Sequence, residues 1–286
     1  MIAASAAALT SCLGSGKNEQ SITYNYTDCF NTVTDLETGK TDIRISPAYT
    51  IFFDYIESTA DISMSNISLP GINGSLSFKL EGLKFSFDKT GAYVINAKDV
   101  TPMLSGENYT FNNFNLKYLD RVMNDGLGVR MPIYYIRFTI NDRYEVNVVG
   151  KNVYYFGTTQ VLSADETSFS TYETYYKIEL DPQENNAYIR FYSAKFAQAM
   201  PTSLNFTLRQ VPFTVDTNGF TIKADGPITP YINDQTPNPS YDITDLDINV
   251  NTYNGGSMSF SCNPAMMGQF GVTATLDWMT PVITAE

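Results

Sequence analysis

Leu76-Ser77-Phe78-Lys79-Leu80 and Leu204-Asn205-Phe206-Thr207-Leu208 are one phrase written twice, 128 positions apart. In both, apolar residues fall on every second position with polar residues between them. That is the period of a β-strand with one face buried and the other in water, and half-wetted sheets are antiparallel by habit. The match runs without a gap to Thr101-Pro102 against Thr229-Pro230 and keeps eight identities, among them Phe85 with Phe213, Asp88 with Asp216 and Gly91 with Gly219. Leu83 and Val211, or Val94 and Ile222, exchange only one hydrophobe for another. After four inserted residues it resumes at Tyr109 against Tyr241, where Phe111, Phe114 and Leu116 meet Ile243, Leu246 and Ile248. Two unrelated β-domains would not keep the Asp, Gly and Thr-Pro punctuation in step. The reading is an internal duplication, with a tether over 1–20, one copy over 21–146 and the other over 147–286.

Asp88-Lys89-Thr90-Gly91 and Asp216-Thr217-Asn218-Gly219 read as hairpin turns in which glycine supplies a positive φ. Further strands are expected at 22–26, 49–56, 61–66, 134–140 and 144–149, then at 153–161, 172–180, 187–192, 258–261 and 271–276, giving about eight per copy. Short strands at such spacing fit two tandem antiparallel β-sandwich domains, or calycin-like β-barrels. Unequal, proline-interrupted loops favour the sandwich.

Composition agrees with an all-β class. The chain has 286 residues, 43% of them hydrophobic, with 20 Tyr and 18 Phe, enough for packed cores in two domains. Eighteen basic against 30 acidic residues leave a net charge of −12, which repels phosphate backbones and argues against a nucleic-acid partner. There is no histidine. Ser-His-Asp and Cys-His nucleophile activation and His-ligated zinc are therefore excluded, whereas carboxylate, Tyr and Lys chemistry remain open.

At the N-terminus, Ile2 to Leu9 is almost wholly alanine and aliphatic, and Leu9-Thr10-Ser11-Cys12 closes it as a bacterial lipobox. Small side chains before the cysteine suit the processing peptidase, and the Cys12 thiol is the acceptor of the lipid. Each buried lipid methylene contributes roughly 0.8 kcal/mol, so several acyl chains hold firmly. No basic residue precedes Ile2, which marks the stretch as the tail of a longer signal with Met1 internal to it. The polar run Gly14 to Gln20 reads as a tether. With this lipobox ahead of Tyr-rich, Asn-rich, acidic β-domains, the chain resembles outer-membrane and surface lipoproteins of the Bacteroidota. The resemblance implies a bacterial outer-membrane location on the surface or periplasmic face, and a membrane partner reached through the lipid alone.

Cys29 and Cys262 remain once Cys12 carries lipid. They either form a disulfide tying the start of the body to its end, worth roughly 4 kcal/mol, or stay as buried thiols behaving as small hydrophobes. Asp234, Asp242, Asp245 and Asp247 cluster in sequence but lack the glycine and terminal glutamate of a calcium loop, so no metal or other cofactor is expected. No phosphate-cradling glycine loop occurs. Asn66 and Asn205 head glycosylation triplets that only a eukaryotic secretory route would use. Tyrosine doublets at 134–135, 154–155 and 175–176 place one ring inward and one outward on each strand, the outward rings being candidates for stacking on a sugar or peptide. Trp278 reads as a core residue.

The function these features support is a non-enzymatic, lipid-anchored envelope protein that binds a glycan or protein ligand, adheres, or has a structural role. A version assembled by strand addition like a pilin belongs to the same class. The alternatives are a carboxylate-dependent glycan hydrolase, which needs two acids in one cleft, and, if the domains are hollow barrels, a carrier of a small hydrophobic ligand.

Overall fold

A computed structural model describes residues 20–103, 109–122, 130–198, 200–264 and 268–277. The lipobox Leu9 to Cys12 and Trp278 lie outside the described residues. Among those described the chain is all-β, with one three-residue 3-10 turn at Pro239–Tyr241 and no α-helix. The first half supplies β1 (Ser21–Tyr26), β2 (Cys29–Asp35), β3 (Lys40–Ile45), β4 (Ala48–Asp54), β5 (Thr59–Ile67), β6 (Leu76–Lys84), β7 (Ser86–Phe87), β8 (Tyr93–Ala97), β9 (Phe111–Val122), β10 (Arg130–Ile140) and β11 (Tyr144–Gly150). The second supplies β12 (Asn152–Tyr155), β13 (Thr159–Ser163), β14 (Ser168–Thr171), β15 (Tyr175–Asp181), β16 (Asn186–Ala194), β17 (Leu204–Val215), β18 (Gly219–Ala224), β19 (Tyr231–Ile232), β20 (Thr236–Pro237), β21 (Ile243–Asn251), β22 (Gly255–Cys262) and β23 (Phe270–Leu276).

The two halves share one strand order. In the first, the sheet β1-β4-β5-β6 faces the sheet β3-β2-β11-β10-β9-β8-β7. In the second, the path β12-β15-β16-β17-β18-β21-β22-β23-β13-β14 repeats it element for element. They differ at one corner and in the hairpin β19–β20, which pairs with β17 off this path. β17 stays continuous, pairing first with β16 and then with β18, whereas the first half breaks the equivalent run at Phe85 into β6 and β7. Left-handed residues recur at matched places, Gly82 (φ 64°) with Gln210 (φ 56°) and Asn113 (φ 54°) with Asp245 (φ 54°). Each sits where the pairing register slips, so both halves carry the same β-bulges.

Alternation fills each interior. β4 turns Tyr49, Ile51 and Phe53 inward and β5 turns Ala60, Ile62 and Met64. The facing sheet answers with Phe114, Leu116, Ile136, Phe138, Val146 and Val148. A fully buried side chain of this size contributes roughly 1.5–3 kcal/mol. The Tyr49 hydroxyl crosses the core to donate to Asn31 Oδ1 at 2.8 Å. In the first half two separate sheets pack around a filled core as a sandwich, whereas in the second the same two layers are one continuous sheet, folded at β17 around its own filled core. A barrel-like seam closes the second half, where Phe156 and Asp277 exchange two backbone hydrogen bonds of 2.7 Å, linking the end of β12 to the end of β23.

The expected eight strands per half undercount the 11 and 12 found among the described residues. β2 was not expected because all seven of its positions are buried, so its sequence shows no alternation. The run 153–161 is two strands, β12 pairing with β15 and β13 with β23. The expected division at 146/147 falls inside β11. The chain passes to the second half at Lys151, whose N–H donates to the Asp28 carbonyl (2.9 Å) and whose carbonyl accepts the Leu180 N–H (2.8 Å).

The halves are joined by an apolar layer. Phe30, Tyr135 and Val149, on the outer face of the seven-stranded sheet, belong to the core of the second half, with Phe30 6.2 Å from Phe213 ring to ring. Polar contacts rim it: Thr34 to Thr217 at 3.3 Å, Arg137 to Asn218 at 3.2 Å, and the Thr252 hydroxyl to Asn147 Oδ1 at 2.9 Å.

Candidate functional site: a cleft between the halves

A cavity of about 360 Å³ opens where the strands meet at Lys151. The first half lines it with the end of β1 and the turn after it (Asn25, Tyr26, Thr27, Asp28) and the ends of β10 and β11 (Pro132, Ile133, Tyr134, Val148, Val149, Gly150). The second half adds β12 (Asn152 to Tyr155), Lys177, Phe220 and Thr252. Its volume is at the low end of the range for small-molecule sites, and its lining of apolar walls with a few polar groups is typical of them.

Four tyrosines give the cleft its chemistry. The rings of Tyr26 and Tyr134 stack with centroids 4.0 Å apart and planes 14° from parallel. Tyr155 is 3% exposed. Neither the Tyr26 nor the Tyr155 hydroxyl has a hydrogen-bond partner among the described residues, so the cleft holds two free donor–acceptor groups between apolar surfaces. Burial pushes both hydroxyls well above the usual tyrosine range, and nearby Cys29 and Asp28 add to this at Tyr26. Both are neutral hydrogen-bonding groups across the physiological range.

The charges at the cleft are already matched. Lys177 pairs with Glu179 and lies 5.6 Å from the centre of the Tyr154 ring, and Asp28 accepts from Asn152 at 2.7 Å. Asp28 is the one carboxylate among the lining residues.

Outside the cleft, Tyr154 continues into a cluster on the outer face of β12, β15 and β16. Tyr175 and Tyr192 are opposite each other in the register and stack at 4.6 Å, 7° from parallel. Tyr154 lies 6.3 Å from Tyr192, and Phe156 lies 5.7 Å from Tyr175. The doublets 154–155 and 175–176 thus obey the expected alternation, with Tyr155 and Tyr176 in the core. The doublet 134–135 departs from it, because both rings are covered: Tyr134 packs against the core of the first half and Tyr135 belongs to that of the second, 4.8 Å from Tyr253.

Cys29 and Cys262 are buried free thiols, one in the core of each half, the second of the two states that the sequence leaves open. The acidic cluster is taken up locally. Asp234 pairs with Arg190 and Arg209, Asp242 accepts from Thr229 (2.6 Å), Asp247 pairs with Lys223 (3.0 Å), and Asp245 occupies the bulge. Among the described residues no three His, Cys, Asp or Glu side chains are grouped to hold a metal. Sequence reasoning missed Tyr26 and Gly150 as site residues. Gly150 had one signal, its place beside the junction between the two copies, and Tyr26 had none.

No family model and no curated protein matches this chain. Among solved structures it is similar to a double mutant of Transferrin Binding Protein B from Haemophilus parasuis Hp5 (9% identity, 90% of this chain and 76% of that one covered, TM-score 0.25). The isotype 1 Transferrin Binding Protein B of serogroup B Neisseria meningitidis matches with 9% identity, the same 90% and 76%, and a TM-score of 0.24. Intact Ap-TbpB with its N and C lobes matches with 9% identity, 90% and 78%, and a TM-score of 0.25.

Proposed function

We propose that this chain is a lipid-anchored protein of the bacterial outer membrane that carries out no catalysis and holds a small, neutral, hydroxyl-bearing ligand in the cleft between its halves. The observation that carries the reading is the pair of unpartnered tyrosine hydroxyls, Tyr26 and Tyr155, facing a cavity of about 360 Å³ between aromatic and aliphatic walls. Neither hydroxyl oxygen is sealed from solvent, so a ligand in the cavity can reach and hydrogen-bond both. A sugar ring meets both demands, offering C–H faces to the aromatic rings and hydroxyls to the phenols. Hydrolysis of a glycosidic bond needs a second carboxylate, and Asp28 stands alone among the lining residues. The filled interiors disfavour a carrier that would hold its ligand inside a barrel.

Anchoring rests on Leu9-Thr10-Ser11-Cys12. Mass spectrometry of the protein isolated from its bacterial host should find Cys12 acylated and N-terminal, and Cys12→Ser should release the body from the membrane fraction. An unmodified Cys12 with the leader uncut would overturn the localisation. For the cleft, perturbation of Tyr26 and Tyr155 ring resonances by neutral mono- and disaccharides, weakened in Tyr155→Phe, is the expected result. A saccharide panel that leaves those rings unmoved would overturn the binding reading.

A further inference from the structure

The aromatic cluster on β12, β15 and β16 lies outside the cavity and shares Tyr154 and Lys177 with its wall, so the ligand surface does not end at the cleft mouth. We infer that the cleft is the terminal subsite of a longer one, and that the preferred ligand is a neutral oligosaccharide whose end ring enters the cavity while following rings lie over Tyr154, Tyr192 and Tyr175. This rests on the reading of the cleft as a binding site.

Three observations favour this occupant. The cluster is amphipathic at a fine scale. Tyr175 and Tyr192 stand parallel, 4.6 Å apart and half-buried, so they offer a row of ring edges and hydroxyls that complements a molecule with alternating C–H and O–H surface. The charges beside it close on one another: Lys177 with Glu179, Glu179 with Arg190, Arg190 with Asp234. No net charge is left to hold an ionic ligand, and the overall −12 repels polyanions. The cluster is also one contiguous surface with the cavity, and a ligand confined to about 360 Å³ would leave it unused.

The test is calorimetric titration of the whole body with neutral gluco-, manno- and xylo-oligosaccharides, each from disaccharide to hexasaccharide. For the recognised series the affinity should rise by at least about tenfold with length and then level off. Tyr192→Leu, which keeps apolar volume while removing the ring and hydroxyl, should erase that rise, so that hexasaccharides bind no more tightly than disaccharides. Tyr155→Phe should weaken every length alike. Affinity independent of length, or equal losses for short and long ligands in Tyr192→Leu, would overturn the extended subsite while sparing the cleft. Absence of binding by every saccharide would overturn both readings.

Discussion

The Tyr26 hydroxyl lies 2.8 Å from where a Cβ on Gly150 would stand, so the last residue of β11 is a glycine because a phenol occupies the space of its side chain. The same absent Cβ would lie 2.8 Å from Val153 Cγ2, on the strand that opens the second half. Gly150→Ala must push the ring or the strand aside. We expect a stability loss of about 1–3 kcal/mol, together with weakened ligand binding as Tyr26 moves into the cavity. Urea unfolding and saccharide titration of the same variant check both, and an alanine variant with unchanged stability and affinity would show that the contact is slack.

The paired turn glycines do different work. Gly91 has φ +81° and nothing within 4 Å of an added Cβ, whereas a Cβ on Gly219 would stand 1.9 Å from the Val250 carbonyl oxygen. The expectation that both supply a positive φ holds at Gly91 alone. Gly91→Ala should therefore cost about 1 kcal/mol, the price of a left-handed alanine. Gly219→Ala should cost about 3 kcal/mol or more, because a backbone carbonyl cannot rotate away. Equal midpoints for the two variants in chemical denaturation would contradict this.

The contrast shows how far the sequence was legible. Leu76–Leu80 against Leu204–Leu208 revealed strands, an antiparallel habit and a duplication, because a sheet with one wet face writes its period into the chain. β2 stayed hidden because its outer residues, Phe30 among them, are buried by the other half, and burial on two faces removes the period. The cleft was illegible for a related reason. Tyr26, Gly150 and Tyr155 belong to three segments whose meeting depends on how one sandwich docks on the other, and no local pattern encodes docking.

Burial raises Cys29 and Cys262 from 9.0 to about 12, and Tyr24 and Tyr192 from 10.0 to about 12. In the unfolded chain these groups release their protons near their ordinary values, while the folded chain retains them. The unfolded state then binds fewer protons, so stability is full below about pH 9 and falls as pH rises toward 12. The urea midpoint should decline through that window. Below it both thiols should resist alkylation in the native state and react on unfolding. Reducing agent should leave the midpoint unchanged, and a shift on reduction would indicate a disulfide.

The face on which the second half docks has an equivalent in the second half itself. By strand register, Phe30, Tyr135, Val149 and Arg137 correspond to Thr158, Ser257, Thr275 and Ser259. Every apolar contact residue has become a hydroxyl, and the resulting groove is completed by Gln160, Asp247, Asn249 and Thr273. Terminal units of stacked arrays carry such polar outer faces, which keep a further unit from adding. The body should therefore sediment as a monomer at every concentration tested, whereas Thr158→Phe, Ser257→Tyr and Thr275→Val combined should expose an apolar patch and lower its solubility. Concentration-dependent association of the unaltered body, abolished by a charge placed at Ser257, would show instead that this face is built to receive another copy.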